Sequence, residues 1–424
     1  MELAPLDRAE GAEPADVVVI GAGIIGIAAA CQVAADGRSV LVLERGEAAK
    51  GASFGNAGAF AFSDVMPLAS PGIMRKAPKW LLDPLGPLSI RPSYLPGIAP
   101  WLWRFWRASR PARAAHSLQA QSAMMRLAAP AMEKLVAAAG AGGLVHEDGA
   151  LELYESEAEW TAALPGWELR AREGIGFRHL RGEEIARLQP GLAAHLRFAT
   201  FVPSWRNVED PYLFATALAA HAERLGARFR RATVLAVEPA DGGVAIRLHE
   251  GGRLAARHAV IAGGAWSRAL AARLGDPVPL ETERGYNTTL PPGAFDLKRH
   301  LTFPGHGFVV TRIGGGVRVG GAVELGGLAL APNYHRAEAM LAKAARFLPG
   351  LRTTGGRQWM GFRPSLPDSL PVIGPARACP YVIHAFGHGH LGPTQSAATA
   401  QLVADLVAGR PPAIDIAPFS AQRF

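Results

Sequence analysis

The chain has 424 residues, 49% of them apolar and 19% charged, which is enough for the cores of two ordinary domains and excludes a disordered chain or a small cross-linked scaffold. Cys31 and Cys379 are too few for a disulfide framework or a cysteine-only metal site, so a reducing compartment is expected and neither thiol is assigned chemistry. The 44 Lys and Arg against 36 Asp and Glu give a formal charge of +8, which attracts anionic substrates, nucleic acid and acidic lipid alike and selects none of them.

The opening residues, MELAPLDRAEGAEPAD, are acidic and lack the basic-then-apolar order of a secretory signal. No run reaches the roughly 18 uninterrupted apolar residues of a spanning helix. The expected location is the cytoplasm. Asp16-Val17-Val18-Val19-Ile20 then predicts a strand buried on both faces. Gly21-Ala22-Gly23-Ile24-Ile25-Gly26 leads from it into an alanine-rich helix to Ala35, and Ser39 to Glu44 predicts a second strand. In this pattern Gly21 permits a tight turn, Gly23 lets the backbone approach a pyrophosphate, and Gly26 lets helix and strand pack closely. Glu44, about 20 residues on, is placed to accept from an adenosine ribose and to repel a 2′-phosphate, which disfavours NADP and leaves FAD or NAD.

Prolines recur between Pro67 and Pro100, so long regular elements are not expected there, and the stretch runs into Trp101-Leu102-Trp103-Arg104-Phe105-Trp106-Arg107. On a helix, Trp101, Leu102, Phe105 and Trp106 share one face. That face is expected to pack on the protein's own core or form an active-site lid; a peripheral foot through residues 98–107 on the inner face of the cell membrane is the alternative. A long helix is predicted over 113–140, a helix over 210–225, and strands over 228–237, 243–249 and 256–262. The last of these empties into Gly263-Gly264-Ala265-Trp266-Ser267. A return to the nucleotide sheet so late in the chain favours a flavin over NAD.

Residues 301–325 predict an antiparallel hairpin about Gly314-Gly315-Gly316, roofing a ligand site. Glu283-Arg284-Gly285-Tyr286 stands before it and Gly361-Phe362-Arg363-Pro364 after a helix near 336–347. A planar guanidinium grips a carboxylate through two parallel hydrogen bonds and a tyrosine hydroxyl can add a third, which suits a small anionic substrate. The tail runs through a strand, the turn Gly387-His388-Gly389-His390-Leu391-Gly392 and a helix from Pro393 to Ala408. Its positive N-terminal end would face the N1/C2 edge of a reduced flavin. The turn has no carboxylate or cysteine, so no metal site is expected, and His390 is the candidate to face substrate or flavin.

GAGIIG with Glu44-Arg45, Gly51 to Gly58, Val260 to Ser267, GFRPSLPDSLPVIG (361–374) and GHGHLG (387–392) together resemble the D-amino-acid oxidase superfamily of FAD enzymes, and within it the bacterial D-amino-acid dehydrogenases. The resemblance covers nearly the whole chain. It implies an α/β fold, a Rossmann-like FAD-binding domain of the glutathione-reductase type joined to an α+β substrate domain built on an antiparallel sheet. The expected division is 1–62, 205–275 and 355–424 for FAD, with 63–204 and 276–354 for substrate, the latter including the Pro/Trp-rich segment 63–110. It implies FAD contacts at Gly21, Gly23, Ile24, Ile25 and Gly26, at Glu44 and Arg45, and at Ser53, Gly55, Asn56 and Gly58 of the loop that wraps phosphates and flavin. Val234 would meet the adenine through its backbone, with Gly263 beside the phosphate turn, and Gly389, His390, Leu391, Gly392 and Thr394 would cradle the ring. Arg363 would bind the substrate carboxylate, supported by Arg284 and Tyr286.

The 51–58 loop has no histidine and the segment after Arg363 no cysteine, so non-covalent FAD is implied. The expected reaction is hydride transfer from Cα of a D-amino acid, including the D-proline or hydroxy-D-proline type, to flavin N5. An imino acid or 2-oxo acid results, and electrons pass to a quinone or other acceptor. A sarcosine-like secondary-amine flavoenzyme and a non-catalytic flavin-binding subunit are the alternatives. Outside 101–107 the arginines are not clustered with aromatics, so no nucleic-acid partner is expected.

Overall fold

The computed structural model describes residues 15–73, Gly86 and 88–424. Residues 74–85 and Pro87 of the proline-rich stretch, and residues 1–14, lie outside the described residues.

The β-branched run Ala15–Ile20 forms a central parallel strand, as its apolar character on both faces requires, with Val17 and Val19 fully buried. Val40–Glu44 pairs with one edge of it and Arg253–Ile261 with the other, both parallel. Arg253–Ile261 is shared. Its first half pairs antiparallel with Gly243–Leu248, while its second half lies between Ala15–Ile20 and the parallel strand Cys379–Phe386. Three distant stretches thus end side by side in one sheet. The strand over 256–262 returns to the first sheet as expected, and the tail returns with it.

Helices Ile24–Ala35 and Gly392–Ala408 pack against each other on one face of this sheet, burying Ile27, Ala30, Cys31 and Val403. Burial pushes the Cys31 thiol up to about 12, and its Sγ donates to Leu218 O at 3.2 Å, so it is a packing group.

The second sheet is mostly antiparallel. Its order is Arg357–Ser365, Glu281–Leu290, Gly316–Leu325, Phe308–Ile313, His300–Phe303, Ala150–Tyr154, Phe198–Val202 and Arg178–Arg181. Leu88–Ile90 also pairs with Gly316–Leu325. One face is covered by helix His335–Phe347 over Phe303, Phe308, Val310 and Val319. Arg357–Ser365 pairs along its length with Glu281–Leu290, so the chain re-enters the first sheet only at Val372–Ala376. The expected division at 355 therefore falls one strand earlier than the change of sheet. Alternation in 357–365 suits either sheet, and only the long-range pairing decides between them.

A 14-residue helix, Leu95–Ala108, stands where the prolines argued against regular structure. Pro96 falls in its first turn, where no intrahelical partner is lost, and Pro100 is tolerated inside it. Ile98 and Trp101 are buried, and Leu102 and Phe105 pack beside them against Leu325, Leu88 and Ile90. Trp106 does not join that face. At about 100° per residue it is rotated off the Ile98–Phe105 stripe, and it is 37% exposed, its ring tilted against that of the 56% exposed Trp103 with centroids 4.7 Å apart, under the Arg110 guanidinium. Among the described residues no helix is long and apolar enough to cross a membrane.

Candidate active site

A cavity of about 1380 Å³ runs from the first glycine turn, between the two sheets, to the wall formed by Glu281–Leu290 and Arg357–Ser365. At its first end the three turn glycines are required for different reasons. Gly21 has φ +109°, and a Cβ there would meet Ala262 O at 2.6 Å; at Gly26 it would meet Gly21 O at 1.9 Å. Gly23 is different, since its Cβ would find only Ser53 Oγ, at 3.5 Å, so protein packing alone does not demand glycine there. The Ile24 N–H donates to Ser53 Oγ at 2.9 Å, and Glu44 accepts from Ala22 N–H at 2.8 Å and Gly46 N–H at 3.0 Å. Helix Ile24–Ala35 therefore presents its positive end to the cavity beside the preset Glu44 carboxylate. The Arg45 guanidinium lies 3.6 Å over the Trp266 ring, and Val234, Ile25 and Gly263 complete this end.

The 51–58 loop is pinned to the second sheet. Asn287 Nδ2 donates to Gly55 O at 2.7 Å and Arg318 Nη1 to Asn56 O at 2.5 Å, while the Gly58 N–H donates to Asn56 Oδ1 at 2.7 Å. Burial lowers Arg318 to about 10, with Asp210 opposing. Gly55 is needed for the Trp359 ring, which a Cβ would meet at 2.2 Å, and Gly361 for the same ring, at 2.0 Å. At the carboxy-terminal turn the Gly389 N–H donates to Pro364 O at 2.8 Å, and Thr394 Oγ1 accepts from Ala61 N–H at 3.0 Å. Leu391 and Gly392 complete this wall, and helix Gly392–Ala408 points its N-terminus into the cavity.

Arg363 stands on the opposite wall. Its guanidinium lies over Gly285, Nη1 donates to Ala322 O at 3.0 Å, and Nη2 is 3.5 Å from Gly321 O. No carboxylate pairs with it among the described residues. Burial lowers its pKa, while Glu283 nearby opposes that shift. Backbone carbonyls thus aim a cation without neutralising it, leaving guanidinium hydrogens for a ligand.

The expected supporting pair is placed elsewhere. Alternation along Glu281–Leu290 puts Glu283, Gly285 and Asn287 on the cavity side and turns Arg284 away. Arg284, with no exposed surface, pairs with Glu324 at 2.9 Å, and the Tyr286 hydroxyl donates to the same carboxylate at 2.5 Å. Tyr286 touches the cavity wall, but its hydroxyl is committed to Glu324 and accepts from Asn333 N–H at 3.0 Å. Burial raises that hydroxyl to about 12. This network braces the strand that carries Glu283.

His390 Nε2 is 3.0 Å from Asp64 Oδ2, with the side chain 37% exposed. Burial works to lower its pKa, but the hydrogen bond and charge of Asp64, with Glu283 adding, hold it above the ordinary value. His388 is buried against Thr399 Oγ1 at 2.9 Å and pushed down to about 3 by burial, so it stays neutral. Neither Glu283 nor His300 stands out in the sequence as a cavity residue. His300 is 2% exposed, lines the cavity, has no hydrogen-bond partner on either ring nitrogen and is lowered to about 3 by burial. An isolated histidine at the start of a strand carries no signal that could have singled it out. Among the described residues no cluster of His, Cys, Asp and Glu is arranged to hold a metal.

Residues 16–406 match the family described as FAD dependent oxidoreductase. The chain belongs to that family. It is 37% identical over 421 residues to a D-amino-acid oxidase of Bradyrhizobium diazoefficiens, covering 96% of this chain and 98% of the relative. It is 32% identical over 422 residues to a D-amino acid dehydrogenase of Sinorhizobium medicae, with 96% and 99% covered. The fold is shared with glycine oxidase from Geobacillus kaustophilus (TM-score 0.75, 23% identity, 97% and 100% covered) and with L-proline dehydrogenase from P. horikoshii (TM-score 0.73, 19% identity, 97% and 98% covered).

FAD fits the cavity on the protein's own terms. The space left at Gly23 faces the positive end of helix Ile24–Ala35, Glu44 sits at the end of the second strand, and the cavity continues far enough for a ring system to reach Arg363. Neither cysteine lines it, in keeping with FAD held without a thioether.

Proposed function

We propose that this FAD-dependent oxidoreductase dehydrogenates D-amino acids, including cyclic secondary ones of the D-proline type, at the Cα–N bond, giving imino acids that water converts to 2-oxo acids where the amine is primary. The observation that carries this reading is Arg363, a guanidinium aimed by two backbone carbonyls into the FAD cavity and left without a carboxylate partner. The D configuration rests on the names of the relatives at 37% and 32% identity.

Bound FAD supplies the two-electron acceptor. Arg363 holds the substrate carboxylate through its free N–H groups, which limits how the Cα–H can be presented and removes orientational freedom worth roughly 7–11 kcal/mol in well-aligned systems. Trp101, Leu102 and Phe105 line the cavity from helix Leu95–Ala108 and keep water from this end. Neutral His388 and the N-terminus of helix Gly392–Ala408 set the polarity on the far side.

The test is anaerobic stopped-flow reduction of the bound flavin by D-alanine, D-proline, their L forms and sarcosine, followed by mixing with air or a soluble quinone. Faster reduction by the D forms than by their L forms is expected, and the second mixing identifies the acceptor. Reduction by sarcosine alone would move the protein to secondary-amine oxidation, and no reduction by any of them would overturn the proposal.

A further inference from the structure

Glu283 is 5% exposed and lines the same wall as Arg363, directly opposite it in the antiparallel register of Glu281–Leu290 and Arg357–Ser365. Among the described residues it makes no hydrogen bond and no ion pair. The other buried acids near this wall are engaged: Glu324 by Arg284, Arg91 and Tyr286, Glu281 by the Tyr94 hydroxyl, and Asp64 by His390.

Side chains opposite each other across an antiparallel pair stand about 4.5–5.5 Å apart at Cβ, close enough for Arg363 and Glu283 to pair directly. They do not. Arg363 is drawn along the strand into the space left by the missing Cβ of Gly285 and is held there by Ala322 O and Gly321 O. The wall therefore offers a cation and an anion side by side, neither satisfied by the other. The Glu283 carboxylate opens on the cavity rather than on a protein partner, so a ligand that displaces water there is favoured when it brings a cationic donor.

We propose that Glu283 receives the α-ammonium, or protonated secondary amine, of the zwitterion whose carboxylate Arg363 binds, and so selects amino acids over amine-free carboxylic acids. This rests on the amino-acid reading above. An α-amino acid carries its two opposite charges on adjacent atoms, which matches two opposite charges on one wall. A plain or hydroxylated carboxylate would satisfy Arg363 and leave Glu283 facing a neutral group. Glu283 is thus a specificity residue rather than one that takes part in bond breaking.

The experiment compares the wild-type holoenzyme with Glu283→Gln and Glu283→Asp, using a D-amino acid that reduces wild-type flavin and propionate as an amine-free competitor. Glu283→Gln is expected to raise the half-saturating D-amino acid concentration about tenfold or more, the range of a hydrogen bond to a charged group. The propionate inhibition constant should stay unchanged or fall, because a repelling carboxylate has gone. Glu283→Asp should recover part of the amino-acid affinity. Equal weakening of both ligands would mark a structural role and overturn the proposal, as would undiminished amino-acid affinity in Glu283→Gln. Failure of wild-type flavin to be reduced by any D-amino acid is a separate result, overturning the substrate reading and this inference with it.

Discussion

Gly285→Ala separates placement of Arg363 from its charge. A Cβ built on Gly285 would lie 2.3 Å from Arg363 Nη2, 2.4 Å from Cζ and 2.8 Å from Nε, whereas ordinary contact begins at 3.4 Å. The guanidinium must therefore retreat by about 1 Å, out of reach of one or both carbonyls that aim it. The backbone at 285 is not in the left-handed region, and its opposite neighbour Gly361 has no side chain to collide with, so alanine costs the fold little. Misplacement of a binding group by about 1 Å can cost around a hundredfold in rate, equivalent to about 2.7 kcal/mol. The expected result is a kcat/KM for D-amino acids lowered about ten- to a hundredfold, with normal flavin content and a melting temperature close to wild type. Steady-state kinetics with differential scanning fluorimetry reads both. Wild-type kcat/KM in a correctly folded Gly285→Ala enzyme would refute the assignment of this guanidinium to the substrate.

Arg363→Met should lower kcat/KM about thirtyfold or more while leaving flavin bound, since truncating one member of a desolvated charged pair costs about 2–5 kcal/mol; flavin content and turnover of the same preparation check it. Gly23→Ala should fold but lose FAD on dialysis, because its Cβ enters ligand space, whereas Gly26→Ala should fail to fold stably, its Cβ falling 1.9 Å from Gly21 O; flavin-to-protein ratio and soluble yield separate the two. The Asp64–His390 pair raises His390 above 6.5 and lowers Asp64 below 3.8. Its stabilisation is therefore complete between those values, fades as pH rises through the elevated His390 value and fades again as pH falls through the depressed Asp64 value. Asp64→Asn should drop the His390 pKa, read by NMR titration of its ring protons.

Local chemistry made much of this protein legible in the chain alone. The buried strand Ala15–Ile20, its glycine turn and the carboxylate at Glu44 are neighbours in sequence, so short-range rules predict strand, turn and helix and the cofactor end of the cavity. Arg363 was singled out as the arginine of a family segment, and it lies on the cavity wall. Long-range pairing decided the rest. Whether 357–365 joins the first or the second sheet depends on a partner some 75 residues away, and alternation along that partner turns Arg284 and Tyr286 toward Glu324 while presenting Glu283 to the cavity. A sequence motif names which residues are adjacent along the chain, but the face of a strand is set by the register of its neighbours. That is why the basic and aromatic residues of Glu283-Arg284-Gly285-Tyr286 looked functional in one dimension, while the cavity face of the folded strand carries Glu283 and Gly285.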